Sequence, residues 1–223
     1  SLFFNGDIAE FILFPSAISE SKRIQIENYL KNKYYIPTRI YRGITTPDLD
    51  NFLNGVGSEG DASFELIGND IYVNNPSFIF ELNINNSVVQ LDGFLDVSQC
   101  SNLTNLSCEY SSITGIYAHN CNKLEWIQCG YSELMTTIDV SNCSNLQYLY
   151  AYECTSLETL NLTNCESLTD LALEADSSLE SLDISTTIVR YGDFDNCSSL
   201  HILNATGIDG NGGKVYLDIR NCN

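Results

Sequence analysis

Between Leu95 and Ile208 the chain returns to one short motif every ten or eleven residues. The copies are Leu95-Asp-Val-Ser-Gln-Cys100, Leu106-Ser-Cys-Glu-Tyr-Ser111, Ile116-Tyr-Ala-His-Asn-Cys121, Ile127-Gln-Cys-Gly-Tyr-Ser132 and Ile138-Asp-Val-Ser-Asn-Cys143. They continue with Leu149-Tyr-Ala-Tyr-Glu-Cys154, Leu160-Asn-Leu-Thr-Asn-Cys165, Leu171-Ala-Leu-Glu-Ala-Asp176, Leu182-Asp-Ile-Ser-Thr-Thr187, Gly192-Asp-Phe-Asp-Asn-Cys197 and Leu203-Asn-Ala-Thr-Gly-Ile208. Most are followed three residues on by another aliphatic: Leu103, Leu124, Leu146, Leu157, Leu168, Leu179 or Leu200. Two alternating versions make a unit of 21 or 22 residues, a period characteristic of solenoids.

The period dictates the physics. Each copy alternates apolar and polar residues, so it is a short strand with one face turned inward. One such strand cannot bury that face alone, whereas stacked copies bury it against each other in an elongated core. The chain turns at the Cys/Ser/Thr/Asp position, where a small side chain fits inside the bend and bonds to exposed backbone. Both halves of each unit read as strands. The expected fold is therefore mainly β, a solenoid with parallel strands on two sides rather than helices on one.

The pattern resembles the leucine-rich repeat family, whose repeat is L-x-x-L-x-L-x-x-N/C-x-L. Leu146-Gln-Tyr-Leu-Tyr-Ala-Tyr-Glu-Cys154 and Leu157-Glu-Thr-Leu-Asn-Leu-Thr-Asn-Cys165 fit it. Alternation of Leu-Asp-Val-Ser-x-Cys with a Tyr- or Cys-containing strand is similar to the short repeats of bacterial and phage surface proteins.

Three regions follow along the chain. In residues 1–37, Leu2–Phe14 reads as a turn and an apolar strand ended by Pro15. Ser19 or Ser21 then caps a helix with Ile26, Tyr29, Leu30 and Tyr34 on one side, closed by Pro37. Gly6, Ile8, Glu10, Phe14, Leu30, Lys33 and Tyr34 in this order resemble the C-terminal edge of a concanavalin A-like (laminin G-like) jelly-roll domain. The resemblance implies that the rest of that sandwich lies upstream, and it carries no ligand residue over. Residues 38–94 read as linker and N-terminal cap of the solenoid. Thr46–Gly55 has the signals of a short helix, and Gly57–Ala62 those of a polar loop. Ser63–Leu66 and Ile71–Val73 suit a hairpin, and Phe78–Ile84, with Phe78, Phe80, Leu82 and Ile84 alternating, suits the strand that begins the stack. Residues 95–223 hold the repeats. Gly207-Ile-Asp-Gly-Asn-Gly-Gly213 interrupts the phase by about three residues.

The nine cysteines resemble a disulfide or metal scaffold until they are placed in phase. Cys100, Cys121, Cys143, Cys154, Cys165, Cys197 and Cys222 share the turn position, and Cys108 and Cys129 share an inward one. Their number is odd and no CxxC pair occurs, so reduced, buried thiols are expected. No metal or other cofactor is expected. Calcium at Asp209 and Asn211 lacks the third oxygen ligand and terminal Glu of a calcium loop, so a glycine-rich turn is the better reading.

Charge narrows the partners. Net charge is −19, and residues 44–223 carry 25 acids against Lys123, Arg190, Lys214 and Arg220, which gives −21. Such a surface repels phosphate backbones and anionic headgroups, which argues against nucleic acid as a partner. No apolar run approaches the ~20 residues a spanning helix needs, so membrane insertion is not expected either. HExxH, GxSxG and phosphate-loop motifs are absent. His119 lies two residues from Cys121, but both occupy repeat positions, and no catalytic residue is assigned.

The candidate site is a surface. Outward positions of the second strand series are irregular, unlike the repetitive Asp96, Asp139, Asp183 and Asp218. They include Glu109, Trp126, Gln128, Tyr148, Tyr150, Tyr152, Glu174, Tyr191, Asp193 and Asp195, with Tyr110 and Tyr131 at the following turns. Stacking about 5 Å apart would gather them into an aromatic stripe edged by carboxylates. Tyr110, Trp126, Gln128, Tyr131, Tyr148, Tyr150, Tyr152 and Glu174 form the candidate binding surface; cross-strand packing is the competing role for the same aromatics.

The function expected is a non-enzymatic binding or structural module outside the cell, on a virion or bacterial surface, engaging a glycan or protein. From the combination of resemblances, a tailed-phage virion appendage or decoration protein comes first. A bacterial leucine-rich-repeat adhesin is the alternative, and a carbohydrate-active enzyme with its catalytic domain upstream is the alternative of another class.

Overall fold

The computed structural model describes residues 38–42, 56–58, 64–67, 70–73, 76–85, 92–206 and 215–222. The chain divides into two units, Ser1–Pro37 and Thr38–Asn223, and the described residues all belong to the second. The expected N-terminal strand and helix, the helix Thr46–Gly55, and the glycine turn with Asp209 and Asn211 lie outside the described residues.

The described chain starts with antiparallel strands: β1 (Thr38–Arg42), β2 (Val56–Ser58), β3 (Phe64–Ile67) and β4 (Asp70–Val73). β3 and β4 form the expected hairpin, with Phe64 opposite Val73. A 3-10 turn, Pro76–Phe78, leads into β5 (Ile79–Asn83). Stacked coils follow. On one side lie β6 (Asp92–Asp96), β8 (Ser112–Tyr117), β10 (Thr137–Asp139) and β12 (Thr159–Asn161), laddered in parallel. On the other, β5 is continued by β7 (Asn105–Ser107), β9 (Trp126–Gln128), β11 (Tyr148–Tyr150), β13 (Asp170–Ala172), β15 (Tyr191–Asp193) and β17 (Tyr216–Asp218). β14 (Ser181–Asp183) and β16 (Ile202–Asn204) form a separate parallel pair. No α-helix occurs among the described residues. The molecule is a β-solenoid of parallel strands on two sides, as the period implies.

Register bears out the unit of two motifs: Ile138 pairs with Leu160, and Leu149 with Leu171. The first residue of each motif points inward, and so does the third, as with Val97, Cys108, Ala118, Cys129, Val140, Ala151, Leu162 and Leu173, all buried. The following Leu103, Leu124, Leu146, Leu157, Leu168, Leu179 and Leu200 are buried as well, so successive coils fill one continuous core. Gly192 breaks the aliphatic rule for a steric reason. A Cβ there would lie 2.8 Å from the ring of Phe194, which occupies the next inward position and is fully buried.

The N-terminal cap differs from expectation at two places. The stretch Gly57–Ala62, expected as a loop, begins within β2, because Val56–Ser58 pairs antiparallel with β5. Phe78 is exposed in the 3-10 turn rather than inward; Ile79, Leu82 and Ile84 are the buried residues there. The short turn shifts the alternation, a change the apolar run Phe78–Phe80 conceals. β1 carries no strong strand signal of its own; it forms by pairing with both β4 and β6.

The turns explain the small residues. The residue before the corner side chain has left-handed φ in nine turns: Tyr110, Asn120, Tyr131, Asn142, Glu153, Asn164, Ala175, Asn196 and Asn221. Asn tolerates that conformation best among residues with a side chain. Asn164 Nδ2 donates to Asn142 Oδ1 at 2.8 Å and Asn142 Nδ2 to Asn120 Oδ1 at 3.0 Å, a ladder along one edge. The corner thiol reaches the previous coil: Cys121 Sγ donates to Val97 O at 3.2 Å, Cys143 Sγ to Ala118 O at 3.0 Å and Cys165 Sγ to Val140 O at 3.1 Å. Cys222 follows the same rule with Phe194 O at 3.1 Å, so it belongs to the repeat despite the insertion before it. The outward acids are structural too. Asp96, Asp139, Asp183, Asp193 and Asp218 each accept the N–H two residues on, an Asx turn.

Two described turns lack the left-handed residue, at Gln99 and at Thr186, and the second also changes length. Thr186 stands where Asn is usual and does not adopt left-handed φ, which a β-branched residue resists. Its Oγ1 accepts from Asn164 N at 3.2 Å and donates to Leu162 O at 3.2 Å, substituting for backbone. The next inward aliphatic, Val189, follows Thr187 by two residues instead of three. Beside this turn no ladder joins β12 to β14, and a polar cleft of about 590 Å³ lies between them, lined by Glu158, Thr159, Ser177, Ser178, Glu180 and Ser181.

Candidate aromatic binding face

The register of the β5–β17 sheet sorts its outward residues into rows. One row runs Asn105, Trp126, Tyr148, Asp170, Tyr191, Tyr216, and the next Ser107, Gln128, Tyr150, Ala172, Asp193, Asp218. A third, at the turn, runs Glu109, Gly130, Tyr152, Glu174, Asp195. Strand pairing thus gathers residues 21 or 22 apart in sequence onto one face.

Six of the eight candidate residues form two aromatic groups. Trp126, Tyr148 and Tyr150 lie on the strands, with ring centroids 5.6 Å apart for Trp126–Tyr148 and 6.0 Å for the edge-on pair Trp126–Tyr150. Trp126 is 42% exposed. Tyr110, Tyr131 and Tyr152 lie at the turns. Tyr110 stacks on Tyr131 at 4.5 Å, and Tyr131 meets Tyr152 edge-on at 5.1 Å. The Tyr152 ring covers Gly130, where a Cβ would stand 2.7 Å from Cε2, and its hydroxyl donates to Glu109 Oε1 at 2.7 Å. Burial, with the bond to Glu109, pushes that hydroxyl up to about 12, while Gln128 acts against the shift. Glu174 is exposed one coil beyond Tyr152, and its side chain joins neither aromatic group in a ring contact. Both groups pack ring on ring; each has one exposed member, Tyr110 and Trp126, while Tyr131, Tyr148, Tyr150 and Tyr152 are half-buried.

A second aromatic pair lies further along. Tyr191 and Tyr216 stack at 5.7 Å with planes 6° apart and are 57% and 54% exposed. Between this pair and the Tyr148–Tyr150 strand the two rows drop to Asp170 and Ala172. The result is a notch of about 280 Å³ lined by Tyr150, Tyr191, Tyr216, Ala172, Asp170 and Asp193, among others. Burial, with Asp170 and Tyr148 adding to it, raises the Tyr150 hydroxyl. Asp170, Ala172 and Tyr216 lie outside the surface expected from sequence. The signal that could have found them is a strand without a ring at either outward position, Asp170 and Ala172, next to the unit that carries Tyr148 and Tyr150.

The thiols are held otherwise. Eight of the nine are buried and all are free. Burial pushes Cys100 up to about 12, and Cys143, Cys165 and Cys197 likewise. Cys121 is raised by burial and by its neighbours Cys143 and Cys100, and its thiol is committed to Val97 O rather than to His119.

Compared with protein-family models, with curated proteins and with solved structures, the chain matches none of them.

Proposed function

We propose that this chain is a non-enzymatic binding module of the leucine-rich-repeat type, displayed outside the cell on a virion or bacterial surface. Its working face is the outward side of β9, β11, β13, β15 and β17. The supporting observation is the row of Trp126, Tyr148, Tyr191 and Tyr216, with Tyr150 beside it, in which Trp126, Tyr191 and Tyr216 are exposed; the rings are fixed on a parallel ladder and edged by carboxylates. Rigid aromatics lose little side-chain entropy on binding and suit both protein hot spots and sugar rings. The acidic surface disfavours phosphate-rich ligands. Attachment to a tailed-phage virion, as appendage or decoration, is the setting we favour, from the repeat pattern in residues 95–223 and the jelly-roll resemblance of residues 1–37.

Glycan and peptide arrays probed with the intact chain and with a Trp126→Ala/Tyr150→Ala double variant test this reading. Loss of the wild-type signals in a variant with an unchanged unfolding temperature supports it. Equal binding by the variant, or no wild-type signal on either array, overturns it.

A further inference from the structure

The notch at Ala172 has a more specific chemistry than the rest of the face. We propose that it receives the cationic side chain, arginine or lysine, of a partner protein; this rests on the reading of the face as a binding surface.

Shape comes first. β9, β11, β15 and β17 each place a large ring at one or both outward positions, and β13 places none: Asp170 and Ala172 stand where Tyr148 and Tyr150 stand one coil earlier. Tyr150 walls one side and the parallel Tyr191–Tyr216 pair walls the other. An opening of about 280 Å³ between ring systems suits a single extended side chain rather than a strand or helix.

Charge decides the occupant. The rim carries Asp170 and Asp193, with Asp218 one coil on. Asp193 accepts only the N–H of Asp195 through Oδ1 among the described residues. The Asp170 carboxylate has no hydrogen bond or ion pair among the described residues. Asp218 is already taken by a guanidinium: Arg220 Nε donates to its Oδ1 at 2.9 Å. That pair shows, within this chain, the interaction the neighbouring aspartates are free to make. The stretch 44–223 carries −21, so the field drives cations toward the face and anions away. Tyrosine rings add attraction for a cation lying against them. The lining offers carboxylate acceptors and tyrosine hydroxyls, a set suited to a donor-only ligand such as guanidinium or ammonium.

The test is an amide NMR titration of the intact chain with the peptide acetyl-Gly-Arg-Gly-amide and with its citrulline counterpart, which keeps the shape and loses the charge. Shifts centred on Leu171, Ala172, Gly192 and Asp193 are expected with the arginine peptide, at least about fivefold weaker with citrulline and weakened likewise between about 0.02 and 0.3 M salt. Ala172→Tyr, which fills the notch at an outward position already flanked by Tyr150, abolishes them; Asp170→Asn, which keeps the size, weakens them severalfold. Equal citrulline binding, shifts spread over the acidic surface, or shifts that survive Ala172→Tyr overturn the proposal. So does binding of maltose at the same residues without a response to arginine. Array binding and the arginine titration, both read on the wild-type chain, separate the two readings, because Trp126 touches Tyr150 and a variant there would disturb both. If array binding is present while the arginine response fails, only the notch falls.

Discussion

Tyr152 Oη donates to Glu109 Oε1 at 2.7 Å across 43 residues of sequence, passing over the intervening coil at Gly130. Glu109 is held from the other side, since Asn85 Nδ2 donates to its Oε2 at 3.2 Å and Asn85 Oδ1 accepts its N–H at 2.6 Å. One tyrosine thus ties three coils together at the turn edge, and it can do so only because the residue beneath it has no side chain.

Tyr152 and Gly130 should therefore be coupled. Tyr152→Phe removes a partly buried, charge-assisted bond and is expected to cost about 1 kcal/mol in urea unfolding. Gly130→Ala forces the ring off its seat and is expected to cost about 1–2 kcal/mol. In a Tyr152→Ala background the same glycine change should cost less than half as much. Additive effects would show that the ring does not rest on Gly130.

Asp176 occupies a corner position that is cysteine in most copies. It is fully buried; its Oδ1 accepts Cys154 N at 2.7 Å, and Oδ2 has no partner among the described residues. Burial, with Cys154 nearby, raises its pKa from 3.8 to about 10. The folded form therefore holds a proton that the unfolded chain releases near pH 4. Stability from this group is complete below about pH 4 and declines as pH rises toward 10, a loss of about 4 kcal/mol by pH 7. Asp176→Asn should raise stability at pH 7 by a few kcal/mol and flatten that slope, read by denaturant unfolding from pH 5 to 9. An unchanged slope would show that Asp176 is ionised in the fold.

The cysteines should be nearly silent to alkylation. Cys222 is half-buried and the other eight are buried, most with raised thiols, so iodoacetamide at neutral pH should add one carbamidomethyl group to the native chain, at Cys222. Unfolding in urea should expose all nine. Intact mass distinguishes these states, and rapid multiple labelling of the native chain would contradict the burial.

The missing ladder between β12 and β14 predicts a weak line across the solenoid on one side only. Amide exchange should be faster for 160, 162 and 180–181, whose N–H groups face the gap, than for 148–150 and 170–172, which are laddered on the opposite face. Thr186→Asn restores the usual turn residue, but the turn remains one residue short. Protection of 160 and 162 should thus rise only slightly; full protection would assign the break to Thr186 alone.

Much of the fold was legible because a strict period leaves few alternatives. Leu149, Leu160 and Leu171 at intervals of 11 declare the inward positions through their spacing, and the corner cysteines follow from the same phase. Phe78 and β1 were not legible. Phe78 sits in an apolar run whose phase is reset by a 3-10 turn, and Thr38–Arg42 becomes a strand only through partners on both sides. For the candidate face, phase gathers Trp126, Tyr148 and Tyr150, which share strand positions. It does not separate them from Tyr110, Tyr131 and Tyr152, because ring packing depends on side-chain direction and on Gly130 in the neighbouring coil.

The order of residues was enough to establish the unit, the inward positions and the reduced state expected of the thiols, since all three follow from periodic burial. Which outward side chains meet was a matter for the folded chain. Residues 21 or 22 apart become neighbours through strand register, and register sets Asp170 and Ala172 between Tyr150 and Tyr191 to open a notch. It also leaves a carboxyl oxygen at Asp176 without a partner among the described residues, because a corner that suits a thiol donating to the previous coil offers the second oxygen of an acid no donor among them.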